Sequence, residues 1–130
     1  FTINTINNIY RQKEMKEVEL QNSIVTYLEY TGMLFTCTLG GVFLGKSNWK
    51  QKRMLSKHYS KGVPDILIFE PSNNDKYNGL MVELKVKGNY PTKEQKEWIA
   101  KLNARNYKAV VCRSLEEFIE IINAYKNEEI

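Results

Sequence analysis

One seven-residue run, Leu80–Val86, constrains the fold of this chain more than any other segment. Side chains of a β-strand point alternately to the two faces of a sheet, so a period of two indicates a strand. Every second residue of the run is aliphatic: Leu80, Val82, Leu84 and Val86. The residues between them are Met81, Glu83 and Lys85. The pattern predicts a strand with one face toward the core and two oppositely charged side chains together on the other.

The remaining segments predict a mixed sheet with helices around it. Ile66–Phe69 is an apolar run, too short for a helix and bounded by Pro64 and Pro71, and it predicts a buried strand. The other predicted elements are a helix near Lys13–Tyr30 that stops at Gly32, short strands at Leu34–Leu39 and Val42–Leu44 joined by a Gly40-Gly41 turn, a helix from Pro91-Thr92 to about Arg105, a strand at Ala109–Cys112, and a last helix capped by Ser114. The order α-β-β-β-β-α-β-α predicts an α/β domain.

The length of 130 residues predicts one domain, with residues 1–12 as a poorly specified N-terminal extension. No apolar run reaches the roughly 18–20 residues that a membrane span needs, and the first residues do not have the pattern of a signal peptide. The chain does not begin with Met, which is compatible with a trimmed or longer precursor. Cys37 and Cys112 lie far apart in apolar runs, which predicts free thiols in a reducing, intracellular compartment.

The positive charges of the chain are concentrated in one window. From Tyr30 to Pro64 there is no Asp or Glu, although the net charge of the whole chain is only +4. The window contains six cations: Lys46, Lys50, Lys52, Arg53, Lys57 and Lys61. A stretch of one sign on an otherwise balanced chain predicts a surface for a polyanion, and we expect these residues to contact nucleic acid phosphates.

Asp65, Glu83 and Lys85 have the chemistry that phosphodiester hydrolysis requires. Such hydrolysis uses a divalent cation held by hard oxygen ligands, together with a group that orients water or stabilises the developing negative charge. If the two strands pair through the turn at Pro71–Asn78, Asp65 comes level with Glu83. The carbonyl of Leu84 could then add a further oxygen ligand.

A purely structural explanation stays open at this point. Glu83 and Lys85 could form the solvent face of an amphipathic strand, and Asp65 could be a turn residue after Pro64. A PD…ExK string is short and occurs often by chance.

The ordered set of motifs resembles a known nuclease family. Gly62-Val63-Pro64-Asp65, followed by Glu83-Leu84-Lys85, resembles the PD-(D/E)XK nuclease signature. Two further features are similar to the VRR-NUC branch of that superfamily: Pro91-Thr92-Lys93-Glu94-Gln95 with Trp98, and an early helix with Glu17 and Gln21 before its apolar stripe. The resemblance covers roughly Glu17 to Ile121, which is most of the chain.

The resemblance implies a restriction-endonuclease-like αβββαβ core and a DNA endonuclease that depends on Mg²⁺ or Mn²⁺. It assigns Asp65 and Glu83 as metal ligands, Lys85 as the catalytic lysine, and Gln95 and Glu17 as supporting residues of the site. Stand-alone relatives of this size resemble Holliday junction resolvases, which are symmetric dimers. This resemblance implies a homodimer that acts on four-way junctions, with flaps or other branched DNA as the alternative substrate.

Glu17 and Gln95 each have a structural alternative. At about 100° per residue, Glu17 shares a helix stripe with Leu20, Ile24 and Leu28, whereas Glu19 points away. We therefore predict Glu17 as the site residue, unless it lies at a frayed, exposed helix start. Gln95 could instead complete a capping box with Thr92.

Three classes of function remain to be separated. The leading hypothesis is a structure-selective DNA endonuclease, because the sequence has no helix-turn-helix or zinc motif for reading base sequence. The second is a non-catalytic nucleic-acid-binding module that keeps the nuclease fold. The third is an α/β accessory subunit, for which the acid-free window would have no evident use.

Overall fold

Residues 2–38 and 60–127 are described by the computed structural model, with the backbone alone for residues 6–15. The elements in chain order are α1 (Ile3–Thr31), β1 (Phe35–Cys37), β2 (Ile66–Ile68), β3 (Leu80–Leu84), α2 (Lys93–Asn103), β4 (Lys108–Cys112) and α3 (Leu115–Lys126). The predicted strand Val42–Leu44 and the Gly40-Gly41 turn lie outside the described residues.

The four described strands form one mixed sheet in the order β1-β2-β3-β4. β1 pairs with β2 and β2 with β3 in antiparallel fashion, whereas β3 and β4 run parallel. A parallel pair needs a crossover connection, and α2 supplies it between β3 and β4. The α/β class with a mixed sheet is confirmed.

β3 is buried on both faces, which corrects the expectation that one face is open to solvent. Leu80, Val82 and Leu84 belong to the hydrophobic core, as the alternation predicts. Met81 and Glu83 on the other face are only 3% and 2% exposed. The second face of β3 is therefore shielded from solvent at these two residues, and the hypothesis that Glu83 lies on a solvent face is wrong.

α1 begins at Ile3, ten residues before the predicted start at Lys13. The side chain of Thr2 caps the helix by accepting a hydrogen bond from the backbone amide of Thr5. The helix therefore includes most of the segment predicted as a poorly specified extension. Its end agrees with the prediction, since Gly32 takes a left-handed conformation with φ 73°.

The core lies between the sheet and the pair α1 and α3. The predicted α1 stripe is buried there, and α3 contributes Phe118, Ile122 and Tyr125. The hydroxyl of Tyr125 donates a 2.6 Å hydrogen bond to the carbonyl of Glu70, which ties α3 to the segment after β2. This packing positions the helix that carries Glu17 against the strands that carry Asp65 and Glu83.

The two cysteines are free, as predicted, and burial raises the pKa of Cys112 to about 11. No helix within the described ranges combines the length and apolar character that crossing a membrane requires.

Candidate active site

Asp65 and Glu83 come from neighbouring strands and point to the same face of the sheet. Ile66 pairs with Val82, and both side chains point into the core. Continuing this antiparallel register by one step brings Asp65 opposite Glu83, on the other face. The backbone of Asp65 stays in the sheet here, because its carbonyl accepts a 2.9 Å hydrogen bond from the amide of Thr38. The predicted convergence of the two carboxylates is therefore present.

Asp65 is held in one orientation by the strand beside it. Its Oδ2 accepts a 2.7 Å hydrogen bond from the backbone amide of Leu84, the residue between Glu83 and Lys85. Burial raises the pKa of Asp65, whereas the Leu84 amide and the charge of Lys85 act in the opposite direction. The carboxylate is thus partly desolvated and oriented, and it lies within hydrogen-bonding reach of the Glu83 carboxyl group.

Glu83 is the most perturbed carboxyl group of the site. Its pKa is raised to about 8, chiefly by burial and further by the negative charge of Asp65, whereas the positive charge of Lys85 opposes the shift. Lys85 Nζ lies 3.7 Å from Glu83 Oε1. Among the described residues, Glu83 Oε2 is buried and has no hydrogen-bond partner. Beside a second carboxylate, a shared proton or a bound cation would both satisfy this oxygen and relieve the repulsion between the two groups.

These carboxylates fit a divalent cation. Hard cations prefer oxygen ligands, and Mg²⁺ is commonly held by one or two carboxylates with water and substrate phosphate completing its shell. In the described part of the chain, no three His, Cys, Asp or Glu side chains form a ready-made metal cage. Asp65 and Glu83 fit such a partly hydrated ion, because Glu83 Oε2 is buried, has no hydrogen-bond partner among the described residues and lies near the negative charge of Asp65. The Leu84 carbonyl stays a predicted ligand.

Glu17 reaches the same group of charges from α1. Burial raises its pKa, the charge of Lys85 lowers it, and the charge of Asp65 raises it. Its side chain is half-buried and lies fourteen residues inside the helix, so the alternative of a frayed helix start is wrong. Glu19 is exposed, in agreement with the predicted stripe.

Gln95 forms the capping box that the sequence offered as its structural alternative. Its side-chain Oε1 accepts a 2.8 Å hydrogen bond from the backbone amide of Thr92, and the backbone amide of Gln95 donates to Thr92 Oγ1 at 3.2 Å. The start of α2 also packs on Gly62, where an added Cβ would lie 2.5 Å from the Glu94 carbonyl carbon. Gln95 therefore fixes the start of α2, which packs through its backbone on the segment that leads into Asp65. A direct role for the side-chain amide of Gln95 in the site stays a prediction.

Most of the predicted DNA-contacting residues lie outside the described ranges: Lys46, Lys50, Lys52, Arg53 and Lys57. Lys61 is described and exposed. The pKa of Glu94, at the start of α2, is lowered by a backbone hydrogen bond and further by the charge of Lys61. The last cation of the acid-free window thus lies near the site, three residues before Pro64.

Sequence reasoning missed Arg113, which follows β4. Its Nη1 donates hydrogen bonds to the carbonyls of Val86 at 3.1 Å and Asn89 at 2.6 Å, and its guanidinium lies 5.2 Å from the centre of the Tyr90 ring. The parallel pairing of β3 and β4 brings Arg113 next to Lys85, since the Lys85 amide donates to the Cys112 carbonyl. The only signal in the sequence was an Arg just after a strand expected to neighbour β3.

Comparison with known proteins relates the chain to one family of domains. The model of the VRR-NUC domain matches residues 8–116 of this chain. A solved structure described as a VRR_NUC domain protein is 26% identical and superposes with a TM-score of 0.62, covering 84% of this chain and 86% of its own. No curated protein matches the chain.

Proposed function

Because the chain belongs to the VRR-NUC family, a nuclease domain of the PD-(D/E)XK type, we propose that it is a metal-dependent, structure-selective DNA endonuclease. Its substrates in this proposal are four-way junctions or other branched DNAs, and its cation is Mg²⁺, with Mn²⁺ as a substitute. We further propose that the active form is a homodimer, which would present two sites to two strands of one junction.

One observation carries the proposal: the half-buried carboxylate of Asp65 faces the buried carboxyl group of Glu83, and Glu83 Oε2 has no hydrogen-bond partner among the described residues. Without a cation this arrangement is costly, because burial and like charge both raise the pKa of Glu83. Carboxyl groups whose pKa is strongly raised in this way are typical of functional sites. A purely structural role for Asp65 and Glu83 would not account for it.

Each residue has a chemical task in this proposal. Asp65 and Glu83 would hold the cation, with the Leu84 carbonyl as a further ligand. The bound Mg²⁺ would polarise the scissile phosphate and lower the pKa of an attacking water. Lys85 directs its ammonium group toward Glu83, where it can orient a water molecule and stabilise negative charge that develops on the phosphate oxygens.

Glu17 and Gln95 support that arrangement from two helices. Glu17 lies within the electrostatic reach of Lys85 and Asp65, so it helps to orient the ammonium group. Gln95 holds the start of α2 beside Gly62, which keeps the segment before Asp65 in place.

The choice of branched DNA rests on the charges of the chain. Six cations without an intervening acid, from Lys46 to Lys61, can bind phosphates and carry no information on base sequence. An enzyme that uses such contacts recognises the shape of its substrate. This favours a structure-selective enzyme over a sequence-specific one.

A cleavage panel tests the proposal. Four-way junctions, flaps and linear duplexes are incubated with the wild type and with Asp65→Ala, in Mg²⁺, in Mn²⁺ and in EDTA. We expect the wild type to cut branched DNA with either cation, and Asp65→Ala to bind the same DNA without cutting it.

Two other results would contradict the proposal. Survival of every DNA with both cations, together with wild-type binding, would leave the non-catalytic binding module. Equal cutting of linear and branched DNA would retain the nuclease but remove its structure selectivity.

A further inference from the structure

The loop after Lys85 carries an aromatic ring that is exposed yet held in place. Tyr90 is 76% exposed, although it lies only five residues from the lysine of the site. The guanidinium of Arg113 lies 5.2 Å from the centre of its ring. An exposed aromatic ring forgoes the favourable free energy of burying its apolar surface. A large ring presented to solvent beside a site is therefore a candidate contact for a ligand.

The loop itself is ordered by Arg113 and by a tight turn. Arg113 Nη1 donates to the carbonyls of Val86 and Asn89, and the Asn89 amide donates to the Val86 carbonyl at 3.1 Å. Gly88 permits the turn with φ 90°. Tyr90 then precedes Pro91, which restricts its backbone to extended conformations. A ring on such a restrained loop loses little conformational entropy when a ligand stacks on it.

The ring lies at the rim of the site. Arg113 directly follows Cys112, whose carbonyl accepts the hydrogen bond from the Lys85 amide at 3.0 Å. Neighbouring strands are about 4.8 Å apart, so Arg113 starts beside Lys85. The loop that the Arg113 side chain holds begins at Val86, directly after Lys85. On the far side of the loop, α2 begins at Lys93 and packs on Gly62.

The charge of this rim suits a nucleotide. Residues 85–93 contain Lys85, Lys87 and Lys93 and no acidic residue. Arg113 uses Nη1 for both carbonyls, and among the described residues its Nε and Nη2 have no hydrogen-bond partner. The rim therefore combines an aromatic face with several cations, which is the pattern that proteins use to bind unpaired bases together with their phosphates.

We propose that Tyr90, backed by Arg113, is a stacking platform for an unpaired DNA base next to the scissile phosphate. This rests on the proposed function, because the platform selects branched DNA only if the neighbouring site cuts it. Paired bases in a duplex are stacked on each other and offer no free face to the ring. An unpaired base at a branch point does offer one, so Tyr90 contributes selectivity that the phosphate contacts cannot supply.

The test uses fluorescent DNA and the full chain. A flap DNA carries 2-aminopurine at the first unpaired position, and a matched duplex carries it in a base pair. Stacking on an aromatic ring quenches this base. Binding and quenching are measured in EDTA for the wild type, Tyr90→Leu, Tyr90→Phe and Tyr30→Leu, and cleavage is measured in Mg²⁺.

Tyr30→Leu is the matched control, because Tyr30 is 90% exposed and receives the same substitution. It lies thirteen residues beyond Glu17 on α1, about 20 Å along the helix axis. We expect Tyr90→Leu to abolish quenching in the flap and to weaken flap binding about tenfold, within the range for one stacked base. The affinity of Tyr90→Leu for the duplex should stay within about twofold of the wild type, since a duplex offers no unpaired base. The flap affinities of Tyr90→Phe, which keeps a ring, and of Tyr30→Leu, which lies elsewhere, should also stay within about twofold.

The outcomes separate this inference from the proposed function. If the wild type cuts flaps but Tyr90→Leu binds them and quenches the 2-aminopurine fluorescence like the wild type, the stacking platform is refuted and the proposed function is not. An equal loss on duplex and flap, or an equal effect of Tyr30→Leu, also refutes it. A change of oligomeric state in Tyr90→Leu, seen by sedimentation, would assign the ring to a protein interface and refute it. If the wild type cuts no DNA, the proposed function fails whatever Tyr90 does.

Discussion

Asp65 accepts a hydrogen bond from the backbone amide of Leu84, so its carboxylate is fastened to the strand that carries Glu83 and Lys85. This contact joins the two halves of the motif, which are separated by eighteen residues in sequence. It also leaves the second oxygen of Asp65 beside the buried carboxyl group of Glu83. The site is therefore assembled by the sheet and does not depend on a mobile side chain.

Glu83→Gln should stabilise the metal-free protein at alkaline pH. The folded-state pKa of Glu83 is about 8, whereas the ordinary pKa of a glutamate is 4.5, so the folded state binds the proton more tightly. The stability from this proton is complete below about pH 4.5 and is lost as the pH rises to about 8, with a slope of at most about 1.4 kcal/mol per pH unit. Urea unfolding in EDTA at pH 5, 7 and 9 measures this, and an identical slope in wild type and variant would contradict the burial of an ionisable Glu83.

Binding of Mg²⁺ or Mn²⁺ should release a proton. A cation between the two carboxylates requires both to be ionised, whereas Glu83 keeps its proton below about pH 8 in the metal-free site. Affinity for the cation should then rise with pH up to about 8, by at most about tenfold per unit. Calorimetry in two buffers of different ionisation enthalpy counts the protons. Zero release at pH 7, with binding intact, would place the cation away from Glu83.

Lys85→Gln should reduce cleavage about 100-fold or more, because the ammonium that stabilises charge on the phosphate is removed. Lys101→Gln is the matched control: Lys101 is exposed in the last turn of α2 and loses the same charge. Its cleavage rate should stay within a few-fold of the wild type. Single-turnover rates on a flap measure both variants, and similar losses in the two would reduce Lys85 to a general contributor of positive charge.

Gly62→Ala should be more destabilising than Gly88→Ala. Both glycines have positive φ, 98° and 90°, so alanine is strained at either position by about 1–2 kcal/mol. At Gly62 the new Cβ would also meet the Glu94 carbonyl carbon and oxygen at 2.5 and 2.6 Å, whereas at Gly88 it meets nothing within 4 Å. We expect a loss of about 3 kcal/mol or more at Gly62, which urea unfolding would measure. Equal losses would show that α2 does not pack on the Asp65 segment.

Replacement of Lys52 or Arg53 should flatten the salt dependence of DNA binding. Each phosphate contact lowers the slope of log K against log salt by about 0.9 in duplex DNA, so the loss of one contact should be measurable. Anisotropy titrations between low and moderate salt give the slope. A slope equal to that of the wild type in both variants would place the DNA away from the acid-free window.

Local patterns predicted much of the fold. The alternation at Leu80–Val86 identified β3, and the spacing of Thr92 and Gln95 identified the capping box that starts α2. The stripe through Leu20, Ile24 and Leu28 identified the buried face of α1 and put Glu17 rather than Glu19 toward the site. These predictions succeeded because periodicity and capping depend on residues that are close in sequence.

The start of α1 was predicted ten residues late for a related reason. Ile3, Ile6 and Tyr10 have helical spacing, but the residues between them are mostly Asn and Thr, which have low helix propensity, and the helix begins from a single capping residue, Thr2. A short apolar stripe among residues of low helix propensity is a weak local signal, so this start was not predicted.

The sequence alone determined which residues could do the chemistry: an Asp after a proline, and a Glu and a Lys spaced to share one face of a strand. Only the tertiary structure decided that Asp65 stands opposite Glu83, that the second face of β3 is closed, and that Arg113 holds the loop bearing Tyr90. Register and desolvation depend on contacts between distant parts of the chain, and no local pattern records them. The raised pKa of Glu83 is the clearest case, since burial and the facing Asp65 produce it and both arise only when the sheet has formed.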